Sequence, residues 1–123
     1  MSEGIGRRRW AIAEGYLPEW SQGPEPLQSH ETACLLNTSD EEAQVRLTVF
    51  FADREPAGPY LVRIGPRRTL HLRFDDLREP EPLPRGKDFS ALFESDVPIV
   101  VQHTRLDSRQ AANALMTTMA WAD

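Results

Sequence analysis

The chain has 123 residues, 40% hydrophobic and 27% charged, with a formal net charge of −5. That length suits one domain over residues 1–123, able to bury roughly two thirds of the surface its unfolded chain exposes. No apolar run approaches the ~20 residues that a bilayer-spanning helix needs, a single cysteine excludes an intrachain disulfide, and the acidic balance disfavours indiscriminate nucleic-acid binding.

In chain order, Arg7, Arg8 and Arg9 come first, with no apolar stretch behind them, which is unlike a signal peptide. Together with the lone thiol this points to a reducing cytoplasm. Trp10 to Glu14 is a first candidate strand, and Gly15 to Trp20 with Gly23-Pro24-Glu25-Pro26 an aromatic, turn-rich loop. Glu31 to Leu36 is a second strand, within which Cys34 reads as a small buried apolar residue. Gln44 to Phe51 alternates most clearly, with Val45, Leu47, Val49 and Phe51 on one face. Tyr60 to Ile64 and Thr69 to Phe74 alternate again, and these three consecutive segments predict an antiparallel meander. Arg78 to Lys87 holds three prolines and a glycine and is expected to be an exposed loop. Asp88 to Phe93 is compatible with one short helical turn.

Val97 to Gln110 begins as a buried strand and turns polar without an intervening turn. Alternation puts Ile99, Val101, His103 and Arg105 on one face and Val100, Gln102 and Thr104 on the other. An imidazole and a guanidinium thus continue an apolar row, which must open into a cleft or interface or carry paired polar groups. Arg105 and Arg109 are expected to pair with Asp107 or with glutamates, within the chain or across subunits, and His103 to donate to a buried acceptor. Beyond Gln110, Ala111, Ala112, Leu115, Met116 and Met119 have helical spacing, yet Met116 to Trp121 also fits a strand. An all-β chain favours the strand. The whole then predicts a two-sheet antiparallel β-sandwich.

Convergence of His30, His71 and His103 with Glu14 or Glu31 would make a metal site of cupin type. The residues are far apart in sequence and no His-x-His pair occurs, so no metal or cofactor is expected. No nucleophile sits in a recognisable motif, so no enzymatic activity is expected either. Two candidate regions remain. Glu14, His30, Glu31, His71, His103, Arg105, Asp107 and Arg109 could line a polar pocket for a sugar or small anion, or a subunit interface. Arg7, Arg8, Arg9, Arg67 and Arg68 could form a patch for anions or DNA if the N-terminus lies near the turn before Thr69.

Several segments resemble the sensory rhodopsin transducer family: Trp10 to Tyr16; Gly23-Pro24-Glu25-Pro26; Ser29-His30-Glu31-Thr32 with Cys34 and Leu36-Asn37; Gly58-Pro59-Tyr60; and Arg67-Arg68-Thr69 with His71, Arg73-Phe74 and Asp76-Leu77. The longest is Val97 to Gln110 with Asn113-Ala114-Leu115. The resemblance implies a small soluble jelly-roll-like β-sandwich assembling as a homotetramer. It implies docking, without membrane insertion, on the cytoplasmic side of a membrane photoreceptor whose light state is relayed. Carbohydrate binding and DNA binding are also implied for parts of the family.

Overall fold

The computed structural model describes residues 4–19, 30–107 and 114–123, with the side chains of His30, Asp107 and Ala114 excepted. Eight strands follow in chain order: β1 (Arg7–Tyr16), β2 (His30–Asn37), β3 (Ala43–Phe51), β4 (Ala57–Ile64), β5 (Arg68–Arg73), β6 (Asp88–Asp107), β7 (Ala114–Met119) and β8 (Trp121–Ala122). The helical element among the described residues is a 3-10 turn at Phe74–Asp76. The all-β antiparallel sandwich expected from the sequence is present.

The twenty residues of β6 organise both layers. Its first half lies between β1 and β3, with Phe93 opposite Trp10 on one side and Leu47 on the other. Its second half lies between β2 and β7, with His103 opposite Ala33 and Thr118. The first sheet therefore runs β4-β3-β6-β1-β8 and the second β5-β2-β6-β7, joined through β6 into one continuous hydrogen-bonded path. The changeover falls at Ile99 and Val100, which face Arg7 and Leu36 respectively. Pro98, unable to donate to a ladder, sits beside it.

The sequence explains this length. Phe89, Ala91, Phe93, Ser95, Val97, Ile99, Val101 and His103 are all buried, an unbroken period of two. That run overrides the helical turn expected over 88–93, which is strand throughout. Residues 114–119 and 121–122 are strand, as expected.

The meander forms only in part. β3 pairs with β4, but β5 pairs with β2 in the other layer, with Leu35 opposite Leu70 and Asn37 opposite Arg68. The turn at residues 65–67 does not close a hairpin, because the Arg67 amide donates to Ser39 O at 3.0 Å and carries the chain across. Asn37 holds this corner. Fully buried, its Nδ2 donates to the carbonyls of Glu41, Ile64 and Gly65, and its Oδ1 accepts from Ser39 N and Oγ.

Between the layers, Leu35, Ile99 and Val101 pack with Leu47, Val49 and Phe93, and Phe74 fills the centre with its ring 5.2 Å from that of Phe89. At the changeover the Trp10 indole N–H is shared between the carbonyls of Arg7 and Ile99. Gly6 there has φ +108°, and a Cβ on it would overlap the Ile99 carbonyl. Residues 78–87 lack regular structure, as expected, although Leu83 is buried. Cys34 is half-buried, not core, because its neighbours Ala33 and Leu35 take the inward face of β2.

Candidate functional site

The inward face of β2 carries Glu31, Ala33 and Leu35, and that of β6 carries Val101, His103 and Arg105. Antiparallel register sets Glu31 directly opposite Arg105, and Ala33 opposite His103. A carboxylate thus continues the apolar row of β2 where two donors continue the apolar row of β6. Glu31 is 0% exposed, and its oxygens are fully engaged. Oε1 lies 2.6 Å from His103 Nε2, and Oε2 accepts from Arg105 Nε and from the Tyr16 amide, both at 2.7 Å. A carboxylate only accepts, so the His103 ring carries its hydrogen on Nε2 in this contact. Three short charge-assisted bonds on one buried group fix the guanidinium against the sheet. A further weak contact, 3.9 Å, joins Arg105 Nη1 to the exposed Glu14.

The cluster forms the floor of a groove of about 390 Å³. One wall is β1 from Ala11 to Glu14; the other is the C-terminal ribbon from Met116 to Trp121. The groove arises because β8 pairs with β1 only at Trp10 and Ala11, whereas β7 pairs with β6, so the two walls diverge. Its lining is mainly apolar, with His103 and Arg105 as its inner polar groups, Thr117 and Thr118 on the ribbon, and Glu14 at the rim. Thr117 Oγ1 donates to His103 O and accepts from Gln102 Nε2, so the hydroxyl is committed to the sheet. Among the described residues the groove brings together no nucleophile and base. It offers shape, apolar walls and a guanidinium whose charge Glu31 balances.

Of the residues expected at a pocket or interface, Glu14, Glu31, His103 and Arg105 come together. His71 does not, since it lies opposite Cys34 on the outer face of β2 and β5, while His103 points inward. No trio of His, Cys, Asp and Glu side chains that could hold a metal occurs among the described residues. The side chains of His30 and Asp107, and all of Arg109, lie outside the described residues. Arg105 pairs with Glu31, 74 positions away, within the same chain.

The two arginine-bearing segments attach to one turn. The Ile5 amide donates to Thr38 Oγ1 and the Arg67 amide to Ser39 O, so both basic segments are tethered to the same turn. Acids interleave with them, however. Arg9 meets Glu94 and Asp123, and Arg67 meets Asp40, while Arg8 Nε donates to the main-chain carbonyl of Asp96. The sequence reading missed Met116, Met119 and the hydroxyls of β7 as site residues. Their signal was a run, 114–119, without a single charge.

Comparison with known proteins gives a consistent picture. A family model described as Anabaena sensory rhodopsin transducer matches residues 5–122. A solved structure of the Anabaena sensory rhodopsin transducer is 52% identical, with a TM-score of 0.75, covering 82% of this chain and 99% of that one. A crystal structure of Thermotoga maritima 1070 is 40% identical, with a TM-score of 0.86 and 96% coverage of each chain. None of the curated proteins matches.

Proposed function

Since the chain belongs to the Anabaena sensory rhodopsin transducer family, we propose that it is a non-enzymatic signalling adaptor of the cytoplasm, working as a homo-oligomer, a tetramer by family resemblance. Its partner is the cytoplasmic side of a retinal-binding membrane photoreceptor. No helix among the described residues is long and apolar enough to cross a membrane, so attachment would be by docking.

The observation that carries this reading is the set of exposed apolar side chains along the C-terminal ribbon, with Leu115 70%, Met116 58%, Met119 55% and Trp121 66% exposed. Large apolar side chains grouped on a surface mark contacts with other macromolecules, and aromatic and methionine residues are favoured at interface centres. Relay follows from differential affinity: a partner shifts a two-state receptor only by the difference between its affinities for the two states. The test is binding of the purified chain to the photoreceptor in nanodiscs, in darkness and under illumination. A light-dependent change in Kd, lost in Trp121→Ala, is expected. Absence of binding in both states overturns the reading.

A second reading draws on the groove. Its apolar walls, Trp121 and a positioned Arg105 suit a sugar or other small polar ligand, in which a few placed polar groups fix orientation. A thermal-shift panel of sugars, sugar acids and small anions checks it, with stabilisation lost in Arg105→Ala. The arginine patch supports DNA binding less well. Its acids answer much of the charge, and a tetramer would carry about 4 × (−5) = −20.

A further inference from the structure

Resting on the second reading above, in which the groove is a ligand site, we infer that its ligand is a free α-amino acid with a large apolar side chain. Arg105 takes the carboxylate and Glu14 the ammonium group, and the side chain lies between the β1 wall and the methionines of the ribbon.

Most polar groups of the groove are committed to the sheet. His103 Nε2 is held by Glu31, Thr117 Oγ1 bonds His103 O and Gln102, and Thr118 Oγ1 donates to Met119 O at 3.4 Å. Two charged ends remain. Arg105 gives its Nε to Glu31 at 2.7 Å, which leaves the Nη1–Nη2 end of the guanidinium without a hydrogen bond among the described residues. Glu14 Oε2 lies 3.9 Å from Nη1, too far for such a bond. No side-chain polar atom among the described residues is buried without a partner, so these donors open onto the groove. At that separation one small molecule can bridge the guanidinium and the rim carboxylate, replacing a weak contact by two short ones.

Charge and polarity select the class. The end of a guanidinium holds a carboxylate in a bidentate fork, and here the bond from Nε fixes its orientation. Glu14 and Glu31 set two carboxylates against one guanidinium, however, so a simple anion is repelled as it nears Arg105. A zwitterion brings no net charge and meets a cation and an anion side by side. A hydroxyl-rich sugar fits less well. With His103 and the threonines committed, several of its hydroxyls would lie unpaired against Ile12, Ala13 and Met116, which is costly. An amino acid is satisfied at its two charged ends, and everything beyond its Cα meets apolar wall. Met116 and Met119 adapt their shape to what they touch. The volume, about 390 Å³, falls at the small end of ligand sites, which span about 300–1,000 Å³. A peptide terminus offers only one of the two charged ends, so the unlinked amino acid is specified.

The test titrates the full chain with L-leucine and L-phenylalanine, with their blocked forms, and with a set of sugars and small anions, read by thermal shift and calorimetry. One of the two amino acids should raise Tm and bind about tenfold or more tighter than its amide, which lacks the carboxylate, and its N-acetyl form, which lacks the ammonium group. Glu14→Gln changes an exposed side chain and leaves the Glu31 cluster intact, and thermal unfolding without ligand checks that the fold persists. It should weaken the amino acid by about tenfold and leave the N-acetyl form unchanged, a difference that general damage to the groove would not produce. Blocked forms that bind as tightly as the amino acid, or equal binding by wild type and Glu14→Gln, overturn the assignment and leave the groove a ligand site. Stabilisation by a sugar or a small anion without any by the amino acids has the same consequence. A chain that answers to none of these ligands overturns both.

Discussion

Removing the Glu31 carboxylate should be among the most costly single changes the fold can suffer. Glu31→Ala strips three partners at once: the His103 ring at 2.6 Å, the Arg105 Nε at 2.7 Å and the Tyr16 amide at 2.7 Å. Arg105 is 20% exposed, so its guanidinium is left mostly buried and without a close counter-charge. Breaking a buried ion pair from one side costs about 3–5 kcal/mol. Arg105→Ala leaves the fully buried Glu31 carboxylate with two donors but no cation, and should cost a comparable amount, about 3–5 kcal/mol. The double variant should cost less than the sum of the singles by about 1.5–3 kcal/mol, the share that belongs to the pair itself. At this chain length 1 kcal/mol corresponds to about 3–6 °C in Tm, so Glu31→Ala should lower Tm by about 10–30 °C. Urea titration and calorimetry of the four proteins measure the cycle. A Glu31→Ala protein within about 1 kcal/mol of wild type, or strictly additive singles, refutes the claim that this carboxylate holds the site.

Other parts of the molecule give independent tests. Gly6→Ala should destabilise by about 2–4 kcal/mol, combining a left-handed φ with overlap on the Ile99 carbonyl; equilibrium denaturation reads it directly. Asn37→Ala should cost about 2–3 kcal/mol, since it strands buried carbonyls at the Ile64–Gly65 corner. Its amide exchange should rise first around residues 37–41 and 64–67. Burial alone would raise the Asp75 carboxyl, but the hydrogen bond and charge of Arg73, with help from Arg85, outweigh it and hold the group below its usual 3.8. A depressed folded-state value stabilises the protein above pH 3.8 and gives that contribution up as pH falls further. Asp75→Asn should therefore flatten the acid limb of the stability profile below about pH 4 and lower stability at neutral pH; an unchanged acid limb contradicts the pairing.

Most of the architecture was legible because burial on one face writes itself as period-two alternation. Gln44 to Phe51 and Ile99 to Arg105 showed it openly. Asp88 to Phe93 misled because Ala91 and Leu92 are good helix formers, and only their membership of a longer alternating run, continued by pairing on both sides, decides for strand. The placement of β5 was not legible. The turn at 65–67 looks like a hairpin, and what sends it across the sandwich is the Asn37 corner, a contact nearly thirty residues away in sequence. The cluster was half visible. His103 and Arg105 on an apolar row announced a buried polar site, and Glu31 on the apolar face of β2 was the matching anomaly. The register that joins them is a long-range fact no local pattern encodes. The groove's outer wall was missed because an uncharged, largely apolar run reads as core until its partners are counted.

That one twenty-residue strand is the middle member of both layers has a mechanical corollary. Each half of this strand serves a different layer, so loosening one layer's ladder loads the backbone that continues into the other. Amides from 88 to 106 should exchange as one slow cooperative unit. Movement by which this molecule reports a change of state is then expected first at its margins, above all at β8, which pairs with β1 at two residues and where Trp121 already faces outward.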